Sequence, residues 1–316
     1  MRLIITIGLL LALAVPAFAA ESGPRHIEFC YKVSAPDVPA DAKSALAWIP
    51  VPLTDDNQVF AGYRVEGDCF FKEVAEDKFG NRFLVVDLTG ADSDFCVNFS
   101  VVRFPVDRLA ATDAAALSEA ELAEFLAPDN MVPVDGKVAA EALAVAGTAD
   151  DDFLQAKLLY DNIVDSVEYD KSGEGWGRGD AVYACDERAG NCTDFHSLFI
   201  GEARSLDIPA RFTMGFPVPF AGPEGEIGGY HCWAEFFVDG HGWVPIDASE
   251  ARKHPELAED LFGRQPADRI AFTRGRDYVL PGSAAGPVNF LVYPHIEIDG
   301  EVISDYEKSF SYIELN

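Results

Sequence analysis

From Gly190 to Ser249 the chain passes from one apolar, helix-periodic segment into a series of strand-like runs, and this succession constrains the fold more than any other feature. In "GNCTDFHSLFIGEAR" the residues Phe195, Leu198, Phe199 and Ala203 recur at helical spacing. The runs "ARFTMGF", "YHCWAEFFV" and "WVPID" follow, the last two joined by the turn "VDGHG". The pattern predicts a buried helix beside an antiparallel hairpin.

Cys192 falls in the first turn of that helix, just after Gly190-Asn191. There the helix dipole and the free N–H groups favour an anion, so a thiol becomes a nucleophilic thiolate and an oxyanion finds donors. Strand alternation puts His231, Trp233 and Glu235 on one face and Cys232, Ala234 and Phe236 on the other, and Asp247 closes the second arm of the hairpin. A hairpin can set that carboxylate beside the imidazole, fixing its tautomer and supporting imidazolium. Cys192, His231 and Asp247 are thus the candidate catalytic residues, a thiol nucleophile with an oriented base.

The composite order, Cys, then H-x-W-x-E, then W-x-x-x-D, resembles the core of the transglutaminase-like superfamily over about 181–249. The resemblance implies an α+β, papain-like core, with the cysteine-bearing helix packed on an antiparallel sheet. It further implies Cys192 as nucleophile, His231 as base and Asp247 as orienting carboxylate. Members include cross-linkers, peptidases, amidases and catalytically dead domains. The expected activity is therefore cysteine-dependent acyl transfer on peptide or side-chain amide bonds through a thioester, with hydrolysis favoured over cross-linking. A non-catalytic binding module of the same fold is the alternative.

Outside this core, the 316-residue length suggests two domains. Residues 1–19 read as a signal peptide: Arg2, an apolar run from Leu3 to Val15, and Ala17-Phe18-Ala19 as a small-x-small cleavage site. Residues 20–108, with "HIEFCYKV", "SALAWIPVP", "RFLVVDL" and "FCVNFSVVRFPV", predict an N-terminal β-sandwich-like domain. Residues 109–316 are assigned to a helical lead-in and the catalytic domain. Ser118 and Glu121 form a capping-box signal in that lead-in. The expected location is periplasmic or secreted.

Removing the leader takes away only Arg2 of the 24 basic residues, leaving 23 against 53 acidic ones, a formal charge of −30. Such a surface repels nucleic acid and anionic lipid, so neither is an expected partner once the leader is removed. The partner expected is a protein or peptide substrate, with cell-wall peptide as the narrower candidate, and no cofactor or metal is called for. Six cysteines suit an oxidising compartment, with Cys69–Cys96 and Cys185–Cys232 as candidate bridges. A zinc site of Cys185, Cys192, His196 and Cys232 has suitable ligand types, but leaves His231 and Asp247 without a role. Thr193 and Asp194 read as capping residues, His196 as a satisfied, partly buried histidine, and Trp176 as either a cleft wall or a surface-packed loop residue.

Overall fold

The computed structural model describes residues 23–90 and 94–315; the leader expected over residues 1–19 lies outside them. The molecule is α+β, and its strands are almost all antiparallel. One five-stranded sheet runs, in spatial order, Glu224–Ile227, Glu307–Leu315, Arg25–Ser34, Asp94–Arg103 and Gln58–Glu66. The other runs Glu301–Ile303, His295–Ile298, Ala45–Pro50, Arg82–Asp87 and Phe70–Ala75. Alternation does the work here. Ile27, Phe29, Tyr31 and Val33 turn to the same core as Phe95, Val97, Phe99 and Val101, and meet Ala45, Ala47, Ile49, Leu84 and Val86 of the second sheet.

The expected boundary at 108 does not describe these sheets. The last strand, Glu307–Leu315, lies between Glu224–Ile227 and Arg25–Ser34, pairing Phe29 with Tyr312 and Tyr31 with Phe310. His295–Ile298 likewise pairs with Ala45–Pro50. The β layer is therefore built from both ends of the chain. The alternating pattern marks these segments as strands, but which strand each one pairs with is decided by packing, since any apolar face of matching length can be covered. The second sheet is also buried on its outer face, where Trp48, Phe83 and Val85 pack against Tyr278, Leu280 and Leu291.

The middle of the chain forms the other half. A four-stranded antiparallel sheet runs Gly242–Ile246, His231–Val238, Ala210–Pro217 and Arg269–Arg274. The helix Cys192–Ser205 lies on it, surrounded by Gly136–Ala146, Asp152–Ser166 and Ala181–Glu187, with every residue from Cys192 to Arg204 buried. Glu119–Leu126 carries the expected capping box from Ser118 and Glu121. Gly215 marks where two strands of the sheet pinch together: a Cβ there would stand 1.9 Å from the Ile270 carbonyl oxygen.

The halves share one apolar core. The Phe216 ring, on the middle sheet, lies 4.5 Å from Phe310 and 4.9 Å from Phe29, centroid to centroid. Phe310 also meets Tyr31 edge-on at 4.8 Å. Phe310→Ala should therefore cost about 3–5 kcal/mol, as for other buried aromatic truncations. Because the core is continuous, the loss should appear in urea as one earlier transition. Two separated transitions, with the thiol-bearing half unaffected, would contradict the shared core.

Candidate functional site

Local sequence dictates how the Cys192 helix begins. Asn191 is its N-cap: its Oδ1 accepts from the Thr193 N–H at 2.9 Å, and its own N–H donates to Asp194 Oδ2 at 3.0 Å, completing a capping box. Asp194 accepts two further backbone bonds, from Gly177 at 2.6 Å and Gly179 at 2.9 Å, which hold the glycine-rich loop across the helix start. Gly190 permits that approach, since a Cβ there would lie 2.6 Å from Asp194 Cβ. Asp194 is the capping-box partner, as expected, and also the anchor of the loop, whereas Thr193 caps nothing: its N–H and its hydroxyl both donate to Asn191 Oδ1. Trp176, half-buried, immediately precedes the anchored Gly177.

The structure brings Cys192, His231 and Asp247 together, all three buried. Asp247 ends the Gly242–Ile246 arm and caps the short helix Ala248–Lys253: its Oδ1 accepts from the Glu250 N–H at 3.0 Å and the Ser249 hydroxyl at 3.1 Å. That leaves Oδ2 for His231 Nε2, at 2.6 Å. With Nε2 engaged, Nδ1 is the imidazole nitrogen available to Cys192. The Cys192 N–H, first in the helix, has no intrahelical acceptor.

The electrostatics follow from these contacts. A hydrogen bond from the Cys232 thiol, opposed by burial and reinforced by His231, holds the Cys192 thiol well below its ordinary value. Burial disfavours a charged imidazole, but the Asp247 carboxylate overrides it and pushes His231 up to about 9. Burial likewise penalises Asp247, yet His231 and Arg269 keep it well below the usual carboxylate range. These shifts all run in the direction that favours a thiolate beside an imidazolium and an ionised aspartate.

Several residues of the site carry no sequence signal strong enough to single them out. Arg269, buried on the opposite edge strand of the middle sheet, places Nη2 3.3 Å from Asp247 Oδ2. Glu250 sets Oε1 3.9 Å from His231 Nδ1. Tyr230, adjacent to His231 in sequence, accepts a hydrogen bond from Asn191 Nδ2 at 3.1 Å. Arg276, from beyond the last strand of the middle sheet, donates to the Gly179 carbonyl at 2.7 Å and Ser197 Oγ at 2.6 Å, clamping the loop to the helix. Only Tyr230 was findable, by its place beside the histidine.

Other expectations need correction. All six cysteines are free. Cys96 lies beside Cys30 on the outer face of the sandwich rather than pairing with Cys69. Cys185 faces away from the cleft, its Sγ 3.2 Å from Glu141 Oε2, so it joins neither a bridge to Cys232 nor a zinc set with Cys192. Among the described residues no group of three or more His, Cys, Asp or Glu is placed to hold a metal ion. His196 is fully buried rather than partly, and its Nε2 lacks a hydrogen-bond partner, 3.6 Å from Asp247 Oδ1. Trp233 and Trp243 are packing residues: Trp233 is buried, and Trp243 stacks under the Arg211 guanidinium at 3.8 Å.

Two predictions follow from the titrating groups. Iodoacetamide should alkylate Cys192 ahead of the other cysteines near about pH 6, where an ordinary thiol is almost wholly protonated, and His231→Ala should slow it. Peptide mapping reads the order; labelling spread evenly over the six thiols would remove the thiolate from this site. Glu202, on the same helix, is buried with neither carboxylate oxygen bonded, and burial pushes its pKa well above the ordinary 4.5. The native state keeps this proton while the unfolded chain releases it, so the group costs stability as pH rises past 4.5. Glu202→Gln should raise the melting temperature at about pH 7, with the gain vanishing near about pH 4. An equal gain at both pH values would show that packing, not ionisation, is responsible.

Comparison with known proteins agrees with this architecture. Residues 140–248, which contain Cys192, His231 and Asp247, match the model of the transglutaminase-like superfamily core. An uncharacterised protein of Haemophilus influenzae is 26% identical over 309 residues, covering 84% of each chain. Among solved structures, a candidate cysteine protease from Cytophaga hutchinsonii superposes with a TM-score of 0.58 at 20% identity, covering 92% of this chain and 99% of that one, which shows a shared fold. The periplasmic domain of TgpA from Pseudomonas aeruginosa gives a TM-score of 0.39 at 13% identity, over 74% of this chain and 90% of that one. The segment that holds the buried thiol-bearing helix and its antiparallel sheet, residues 140–248, is thus the part of the chain similar to the transglutaminase-like superfamily core.

Proposed function

We propose that the protein is an exported cysteine-dependent acyl-transfer enzyme that cleaves peptide or side-chain amide bonds. One observation carries the reading. Asp247 holds His231 by Nε2 at 2.6 Å, which leaves Nδ1 for a thiol seated on a helix N-terminus. The Cys192 thiolate attacks the amide carbonyl, and the oxygen that gains charge is received by the Cys192 N–H. His231 passes its Nδ1 proton to the departing amine as the C–N bond breaks, leaving a thioester and a neutral imidazole. That imidazole then takes a proton from water, whose oxygen attacks the thioester and releases the acid and the thiolate.

Water as the acceptor makes the enzyme a hydrolase, and the Cytophaga structure of the same fold is named for that class of reaction. The substrate is a protein or peptide; the leader-like residues 1–19 support export, where cell-wall peptide would be met.

Cys192→Ala should abolish amide cleavage with the fold retained, tested on a peptide library with and without an added primary amine. Product that is largely amine-linked would favour cross-linking instead, and full activity in Cys192→Ala would end the reading. Asp247→Asn should lower kcat by roughly 10²–10⁴-fold, because one amide oxygen cannot serve both the Glu250 N–H and His231 Nε2. Above about pH 9 the rate should fall, since His231 loses the proton that the leaving amine needs. A rate still climbing past that pH would remove His231 from the acid role.

A further inference from the structure

The face of the middle sheet that turns from the Cys192 helix carries charged side chains that acyl transfer does not use. Cys232 and Phe236 meet that helix, through His196 and Phe199, so Glu235 and Phe237 point the other way. Arg211 is the cross-strand partner of Glu235, and Thr213, on the same face, is the partner of Arg274. Together with residues 55–57 of the sandwich and residues 108 and 112–117 of the lead-in, this face lines a cavity of about 600 Å³. Small-molecule sites span about 300–1,000 Å³, and a cavity of this size admits a peptide of a few residues. It borders Phe237, six residues along the strand from His231, which at ~3.3 Å per residue is roughly 20 Å from the catalytic imidazole.

Arg211 lies on the inner wall. Its side chain is nine-tenths buried, its Nε donates to Glu235 Oε2 at 2.8 Å, and its guanidinium sits 3.8 Å over the Trp243 ring. Neither of its Nη atoms has a hydrogen-bond partner among the described residues. Arg274 donates from Nη2 to Asp55 Oδ2 at 3.0 Å, while its buried Nε has no partner. Arg103, also buried, binds neutral acceptors, the Gln265 side chain and the Asn57 carbonyl. Three guanidiniums thus share the carboxylates of Glu235 and Asp55, and burial together with Arg274 pulls Arg211 down to about 10. The rim has the opposite sign. Asp56 and Asp113 are exposed there without a partner among the described residues, whereas Glu121 is engaged in the Ser118 cap. We propose that this cavity binds a short zwitterionic peptide, its carboxylate on the free Nη atoms of Arg211 and its ammonium at Asp56 and Asp113. A carboxylate matches the guanidinium fork that Trp243 holds flat, and supplies the negative charge the buried arginines lack. A wholly anionic ligand would be repelled by the rim, which an ammonium instead satisfies.

Binding here uses neither Cys192 nor His231, so its failure and that of the acyl-transfer reading are separate results. The Cys192→Ala chain, which consumes no peptide, is titrated calorimetrically with trialanine, its C-terminal amide and its N-acetyl form. Trialanine should bind. The amide lacks the group that the Arg211 fork takes and should bind on the order of tenfold more weakly. The acetylated peptide loses only an exposed ion pair and should bind about threefold more weakly. Arg211→Lys keeps a charge beside Glu235 but not the fork; it should weaken trialanine on the order of tenfold and leave the amide unchanged. Asp113→Asn should weaken trialanine about threefold and the acetylated peptide not at all. Absence of trialanine binding at millimolar peptide would overturn the proposal, as would equal affinities for trialanine and its amide. A trialanine affinity that neither substitution alters would overturn it by placing the peptide elsewhere, and inorganic phosphate binding as tightly as trialanine would overturn the zwitterionic ligand. Should Arg211→Lys fail to fold, the amide comparison and Asp113→Asn decide.

Discussion

A helix buried on every face cannot leave its first N–H groups to water, and much of the architecture follows from that constraint. The Cys192–Ser205 helix is covered by three helices and a sheet, so its N-terminus must be satisfied from within the protein. Asn191 and Asp194 do this locally. Asp194 has acceptor capacity to spare, and it uses that capacity to fix Gly177 and Gly179 over the same end of the helix. Arg276, itself buried, closes the arrangement by binding both the loop and Ser197. The glycine-rich loop is thereby tied to the start of the thiol-bearing helix.

The second constraint is the charge of Asp247. A carboxylate that deep is costly unless each oxygen is engaged. One oxygen serves as a helix cap and the other meets His231 and Arg269, so one edge strand, the following helix and the opposite edge strand are tied at a single group. The same charge holds His231 protonated to about 9 and thereby favours the thiolate. Structural and chemical roles cannot be separated at this residue.

The β layer supports the site from behind. Arg25 reaches from the first strand of the sandwich to the carbonyl of Val218 at 2.6 Å, immediately beyond the Ala210–Pro217 strand. Its guanidinium also pairs with Glu314 at 3.0 Å. Together with the rings of Phe29, Phe216 and Phe310, this fixes the middle sheet against the strands contributed by both termini. The strongly acidic surface contributes nothing to this packing, since the ion pairs that matter are few and buried.

The amino-acid sequence by itself determined the buried helix, the His231–Asp247 hairpin and the cap at Ser118, because each rests on periodicity or on residues within a turn or two of one another. Cys192, His231 and Asp247 were legible for the same reason: the helix start, the strand and the strand end were each marked locally, and their order matched a known core. Tertiary structure alone decided what depends on distant partners. It paired Glu307–Leu315 with Arg25–Ser34, brought Arg269 and Arg276 to the site, and separated Cys185 from the cleft while setting Cys232 against His196. A strand's alternation records which face is buried, but not which strand or helix buries it; that choice is made by the shape of the whole core.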